Sequence, residues 1–244
     1  MKKEGWMIKK LEGKDAFDVF TLFNNSSYAN YLSHTIYGQP KVFKFIEKSI
    51  NDDNQIWLGF FDGVKLVGVI NYYKYLIKHL FLNHICVSDT HLKRGIGRAL
   101  ISEFINDASD FMLTPMLKVD SRNQQAISWY KKMGFAQHER ERSLLIEFTN
   151  SNTLDWVLPL VNDRIQFTEY GFSFAKLNKI ELGVIEGGLV SIKQGDLNKI
   201  FGKLLEAKPK RILVTDYDGS IFSDCINRED CKLLDFSVFC LLKK

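Results

Sequence analysis

The chain has 244 residues, 45% hydrophobic and 25% charged, an ordinary globular composition with ample material for a core. A net charge of +4 is too small to argue for a general nucleic-acid binder. The whole excess falls in the first 150 residues, where it suits an anionic cofactor or a solvated basic face. No apolar run approaches the roughly 18 residues of a membrane span, and the basic N-terminus lacks the apolar stretch of a secretory signal. The four cysteines, Cys86, Cys225, Cys231 and Cys240, match no metal spacing, so reduced thiols in a cytoplasm are expected, with no bound metal.

In chain order, residues 6–11 predict a strand. Residues 15–23 predict a helix with Phe17, Phe20 and Phe23 as its apolar positions. Residues 24–39 are polar and aromatic without a period. Pro40 suits the first turn of a second helix running to about residue 51, with Val42, Phe43, Phe45, Ile46 and Ile50 as its apolar positions. Residues 55–61 and 64–72 read as two strands, joined by an Asp62–Gly63 hairpin turn. A third strand follows over 80–87. After it come a glycine turn, a helix to about 110, a short strand over 116–120 and a helix over 123–133 with Gly134 as its C-cap. Residues 144–148 form another strand. Hairpin-joined strands come first and crossover helices later, which implies a mixed α/β sheet.

Residues 84–107 organise the chain. A strand ends at Ile85–Val87, a basic turn follows, and Gly95 and Gly97 lead into a helix. The first N–H groups of a helix lack intrahelical acceptors and carry partial positive charge, so they suit an anion. Glycine lets a phosphate come close to the backbone. His91, Lys93, Arg94 and Arg98 add positive character. A glycine pair alone is equally a plain turn, and neither a Walker lysine nor a third dinucleotide-type glycine is present.

A second stretch, residues 120–135, decides between these readings. On a helix, Ala126, Ile127, Tyr130 and Met133 fall near one face. Asn123 precedes Tyr130 by two turns, so both can point toward one groove. Together the two stretches resemble the GCN5-related N-acetyltransferase (GNAT) family. Its cofactor loop is matched by Ile85, Val87, Lys93, Arg94, Gly95, Ile96, Gly97 and Arg98. Its later segment is matched by Asn123, Ala126, Tyr130, Gly134 and Phe135. The resemblance covers residues 6–148. One departure is Leu92, where the family usually has Arg or Gln, so the hold on pyrophosphate would come from Gly95, Gly97 and neighbouring N–H groups, or from Lys93 or Arg94.

The resemblance implies a mixed central sheet of GNAT (acyl-CoA N-acyltransferase) type over residues 1–149, and the residues beyond it read as a small α+β domain over 150–244. It implies acetyl-CoA as co-substrate and a small-molecule or peptide amine as acceptor, while charge and hydropathy point to neither nucleic acid nor a membrane as partner. The cofactor residues would be Ile85, Cys86, Val87, Leu92, Lys93, Arg94, Gly95, Ile96, Gly97, Arg98, Ala99, Asn123 and Tyr130. Tyr130 would be the general acid, since a phenol of pKa about 10 holds its proton at neutral pH. The Val87 N–H would serve as oxyanion donor. Strand alternation groups Phe81, Asn83, Ile85 and Val87 on one face and Leu82, His84 and Cys86 on the other. Asn83 would then adjoin the substrate and position a water, with His84 on the wrong face. His34 and Tyr37 lie where the family shapes its acceptor site. The alternative is a non-catalytic acyl-CoA-binding or regulatory module.

The remaining residues predict a hairpin over 179–193 turning at Gly187–Gly188, a helix over 196–206 and strands over 211–216 and 234–242. Residues 190–205 echo residues 8–23 as a strand followed by a helix, and the glycine loop does not recur. Residues 212–222 resemble the first motif of haloacid-dehalogenase-type phosphatases. Too little chain follows Asp216 for the sheet that carries the later motifs, so they read as a strand and an Asp–Gly turn. Residues 151–164 would link or pack against the first domain. The tail would close over the acceptor site or form the interface of a homodimer.

Overall fold

A computed structural model describes residues 5–148, 169–177, 179–186, 188–206, 209–218 and 231–243. The fold is mixed α/β and divides into two compact units. The first comprises residues 1–119, 125–138 and 240–244, and the second residues 120–124 and 139–239. The segment expected to link the domains at 151–164 lies outside the described residues.

In the first unit, β1 (Trp6–Lys10), β2 (Gln55–Asp62), β3 (Lys65–Tyr75) and β4 (His79–Val87) pair in that order, all antiparallel. The Asp62–Gly63 turn forms as the sequence required, with Gly63 at φ 62°. One face of this sheet carries α1 (Ala16–Asn24) and α3 (Val42–Ile50). Val42, Ile46 and Ile50 recur one turn apart and are buried, as are Val19, Leu22 and Phe23 of α1. They form a core with Trp57, Val69 and Cys86 from the strands. Each such large apolar side chain contributes about 1.5–3 kcal/mol on burial. Between the two helices lie the short α2 (Ala29–Leu32) and a 3-10 turn at Ile36–Gly38.

The helix α4 (Ile96–Asp110) buries Ile96, Leu100, Ile101, Phe104 and Ala108. A Cβ at Gly68 of β3 would come within 2.8 Å of Ile96 Cγ2 and 3.2 Å of Leu100 Cδ1, so this glycine lets the first turn of α4 settle onto the strand. Tyr72 anchors the same helix further along, donating its hydroxyl to Asp107 Oδ2 at 2.6 Å. Next, β5 (Thr114–Asp120) pairs with β4 in parallel, as a helical crossover demands. The helix α5 (Gln124–Lys132) follows, burying Ile127 and Tyr130.

In the second unit, the part of β6 (Phe135–Phe148) from Glu139 on, β7 (Phe172–Leu177), β8 (Ile180–Ile185), β9 (Leu189–Lys193), α6 (Gln194–Glu206) and β10 (Arg211–Thr215) surround their own apolar core, which includes Leu182, Val190, Leu197, Ile200 and Ile212. The strands β7, β8 and β9 form an antiparallel meander, and α6 then carries the chain to β10, parallel to β9. This repeats the connectivity of β2, β3, β4, α4 and β5. The echo seen in residues 190–205 therefore lies with β4 and α4, not with residues 8–23. The last strand is β11 (Cys231–Lys243). At the phosphatase-like stretch, the Gln194 side chain donates to Asp218 Oδ1 at 2.6 Å and accepts the Asp218 N–H at 2.7 Å. That pair fastens the chain after β10 to the start of α6.

Candidate functional site

The distinctive geometry of the first unit lies where β4 and β5 separate. Their pairing runs from His79 opposite Thr114 to Leu82 opposite Leu117 and stops there, although β4 continues to Val87 and β5 to Asp120. In the repeated arrangement of the second unit, β9 and β10 stay paired over all five residues of each strand. On β4, the Ser88 N–H donates to Val67 O at 2.9 Å, on the β3 side. Backbone groups alternate in direction along a strand, so those of Val87 and Ile85 face the opposite edge, which β5 has left. That edge can pair with an extended, amide-containing ligand.

At the end of this edge stands the N-terminus of α4. Lys93 (φ 62°) and Gly95 (φ 88°) are left-handed, and Gly95 is the N-cap residue. The Ala99 N–H makes the first helical bond, to Gly95 O at 2.9 Å. The N–H groups of Ile96, Gly97 and Arg98 precede that bond and are free of helical acceptors. A Cβ at Gly95 would meet nothing within 4 Å, so the backbone is open to an approaching anion. Gly97 has a different setting, because a Cβ there would lie 3.6 Å from the Trp129 ring and 3.8 Å from Val87. Leu92, Lys93, Arg94 and Arg98 are exposed around the turn, whereas Ile96 is buried beneath it. The loop is braced by Asp89, which accepts the Ser27 N–H at 3.0 Å and the Ser27 hydroxyl at 3.1 Å, and by His91, 3.5 Å from Asp62.

Strict alternation on β4 fails at Asn83. His84 is opposite Asn71, yet Leu82 is opposite Tyr72, so Asn83 is the extra residue of a β-bulge. The bulge shifts the faces. Phe81 packs on Tyr73, Asn83 bonds Asn71 and Tyr37, and Cys86 joins the α1–α3 core. Val87 lies instead beside Gly97 of α4. Asn83 therefore shares a face with His84 and not with Val87, which corrects both the expected grouping and the exclusion of His84 by parity. The Cys86 side chain is turned away from the α4 turn. Its side chain is buried, 3.3 Å from the Ser26 hydroxyl, and burial pushes its thiol up to about 12, with the Ser26 bond opposing.

His84 sits in a cage of Phe23, Tyr28, Tyr37 and Trp57. Its Nδ1 is 2.9 Å from the Tyr28 hydroxyl, and its Nε2 is buried without a hydrogen-bond partner. Burial lowers its pKa to about 3, so the ring is neutral at physiological pH. Desolvation likewise raises Tyr37 to about 12 and raises Tyr130 above the ordinary phenol range. Tyr130 packs between Trp129 and Phe135, with centroid distances of 5.1 and 5.8 Å. Asn123 stands in the turn before α5, its N–H bonded to Asp120 O at 2.9 Å. His34 is 7% exposed, while Tyr37 keeps partial access to solvent.

Two participants escaped the sequence. Trp129 lies off the buried stripe of α5 and is visible as a wall of the cradle only once α4 and α5 are placed. Asn71 reads as one more strand residue, although it is fully buried and bonded to the bulge. Among the described residues, no group of three His, Cys, Asp or Glu side chains could hold a metal ion, and no helix is long and apolar enough to cross a membrane.

Residues 18–135 match the model of a family described as Acetyltransferase (GNAT) family. No curated protein matches the chain in sequence. Among solved structures, the chain is similar to a putative acetyltransferase from Pyrococcus horikoshii, with a TM-score of 0.60 and 16% identity, covering 99% of this chain and 90% of that one. This likeness is one of fold. A PaiA N-acetyltransferase from Thermoplasma acidophilum, solved in complex with coenzyme A, aligns with a TM-score of 0.47 and 21% identity over 55% of this chain and 91% of that one. A Streptococcus pneumoniae acetyltransferase of the GNAT family gives 0.44 and 24% over 60% and 90%.

Proposed function

Residues 18–135 form a domain of the acetyltransferase (GNAT) family, and on that premise we propose that the protein transfers the acetyl group of acetyl-CoA to a primary amine, by direct attack within a ternary complex. The observation that carries this reading is the separation of β4 from β5 beyond Leu82 and Leu117, next to the α4 N-terminus. An extended cofactor arm and its pyrophosphate need such a pair of sites side by side.

The pyrophosphate would sit on the N–H groups of Ile96, Gly97 and Arg98, aided by the helix dipole. The basic side chains of Lys93, Arg94 and Arg98 supply long-range attraction, and Leu92 none. The amides of the pantetheine arm would pair with the free edge at Ile85 and Val87. Trp129 and Val87 flank the path past Gly97. The Val87 N–H, pointing to that edge, would donate to the carbonyl oxygen as the tetrahedral intermediate forms.

The attacking amine must be neutral, since an ammonium has no lone pair. It would approach from the face that carries Asn83, Tyr37 and Tyr28. As the carbon–sulfur bond breaks, the departing thiolate takes a proton, and Tyr130 is the proposed donor. Its burial disfavours the phenolate, so the proton stays on oxygen until the thiolate forms. The test is Tyr130→Phe, assayed by CoA release and by cofactor binding. Turnover should fall by about 10²–10⁴-fold, with much smaller change in affinity. Undiminished turnover with an unchanged pH profile removes Tyr130 from the acid role.

A further inference from the structure

Among the described residues, the face that an acceptor must approach carries Asn83, His84, Tyr37 and Tyr28, each uncharged, and their arrangement narrows the kind of amine that fits. The bulge at Asn83 places two consecutive side chains, Asn83 and His84, on one face, next to the free edge of Ile85 and Val87. From Asn83 a chain of carboxamides crosses the sheet. The Asn83 side-chain amide donates to Asn71 Oδ1 at 2.9 Å and to the Tyr37 hydroxyl at 3.4 Å. The Asn71 amide donates to Gln55 Oε1 at 3.1 Å and to Ile56 O at 3.2 Å. Asn71 is fully buried and so fixes the line, whereas Asn83, Tyr37 and Gln55 keep partial access to solvent. These bonds use the donors of Asn83 and the acceptor of Gln55. The Asn83 Oδ1, the Tyr37 proton and the Gln55 side-chain N–H groups remain to engage an incoming amide or amine.

The groups beneath this line are neutral as well. His84 is uncharged in its aromatic cage and bonded to Tyr28. Tyr37 and Tyr28 are held as phenols by burial. Burial is the chief cause of the shifts of Tyr28, Tyr37 and His84, while the Asp89 carboxylate acts on Cys86 of the same face. A desolvated wall of carboxamides, phenols and a neutral imidazole offers an ammonium no opposite charge against its loss of hydration. It does match the amide groups of a peptide.

We propose that the acceptor is a peptide α-amine, taken in its uncharged form, with its first peptide bond recognised by Asn83, Gln55 and Tyr37. This rests on the acetyltransferase reading above and narrows its substrate. At pH 7 an α-amine, with a pKa of about 7.7–8.0, is about 10–20% neutral, whereas a lysine side chain, at about 10.4, is neutral in roughly one molecule in 2,500. The neutral lysine amine is the stronger nucleophile, which offsets part of that gap, so a preference of at least tenfold is expected.

The experiment compares two short peptides of equal composition with the intact protein and acetyl-CoA. One has a free α-amine and an acetylated lysine side chain, and the other an acetylated α-amine and a free lysine. At pH 7, kcat/KM should favour the first by at least tenfold. The second should gain nearly tenfold per pH unit up to pH 9, so the preference should shrink as pH rises. Asn83→Asp places a carboxylate on this face and should at least halve the pH 7 preference. Equal or greater activity on the free lysine at pH 7 overturns the proposal and leaves acetyl transfer standing. Binding of acetyl-CoA without transfer to either peptide, while a small amine is acetylated, overturns the peptide acceptor only. Binding without transfer to any amine overturns both readings.

Discussion

Gly95→Ala separates the backbone role of the glycine turn from its role as a cofactor surface. Gly95 has φ 88°, and a Cβ there meets no atom within 4 Å. Steric clash within the fold is therefore not the source of any effect. What remains is the left-handed backbone, which costs an alanine about 1–2 kcal/mol. For a chain of this length, each kcal/mol corresponds to about 2–4 °C in Tm. Gly63 is a matched control, at φ 62°, with nothing within 4 Å of a Cβ and a place in the Asp62–Gly63 hairpin. Gly63→Ala should lose similar stability and keep its affinity for CoA. Gly95→Ala should lose the stability and the affinity together, because its methyl group occupies the space through which pyrophosphate reaches the N–H groups of α4. Loss of one charge-assisted hydrogen bond, about 1.5–3 kcal/mol, weakens Kd by about 10- to 150-fold. Calorimetric titration of CoA into both variants, with thermal unfolding in parallel, measures both quantities. Affinity of Gly95→Ala within twofold of wild type would refute the placement of pyrophosphate at this turn.

Further outcomes follow from neighbouring residues. His84 has a pKa lowered to about 3 by burial, so the unfolded chain, at about 6.5, binds the proton first. Its stabilising effect is present above pH 6.5 and is lost as pH falls toward 3, at up to about 1.4 kcal/mol per pH unit. Replacing it by Phe, which fits the aromatic cage, should flatten the dependence of stability on pH between 6.5 and 4.5 in urea unfolding. The same slope in both proteins would contradict the assignment. Gly68→Ala should destabilise the fold by about 1–3 kcal/mol, because its methyl group presses on Ile96 and Leu100. The same variant should also weaken CoA, since the first turn of α4 is displaced, and unchanged affinity would separate that turn from the cofactor. Tyr72→Phe breaks the bond to Asp107 at the other end of α4. It should cost about 1–3 kcal/mol in denaturant unfolding and leave CoA affinity within twofold.

The fold of the first unit was legible wherever one local rule dominated. The apolar stripe of α3, the Asp62–Gly63 turn and the glycine entry to α4 all formed where their residues predicted. The bulge at Asn83 was not legible, because it depends on how β4 registers with β3 and leaves no mark in composition. That single extra residue brought Asn83 onto the face of His84 and Cys86. The length of β6 was hidden in a similar way. Its first half is polar, and a strand of exposed Arg, Glu and His residues has no apolar alternation to announce it. The repeat of connectivity in the second unit was detectable only as an echo, since the elements match in order and pairing while the glycine loop does not recur. Of the candidate site, the turn from Leu92 to Ala99 and the Tyr130 position were readable as motifs. Trp129 and Asn71 joined it through contacts between distant elements.

Amide hydrogen exchange with and without acetyl-CoA tests the central claim most directly. The cofactor should slow exchange at Ile85 and Val87 on the free edge of β4, and at residues 95–98 of the α4 N-terminus. The Gly63 turn and β8 should exchange unchanged. Saturable binding without protection at the β4 edge and the α4 N-terminus would contradict the account.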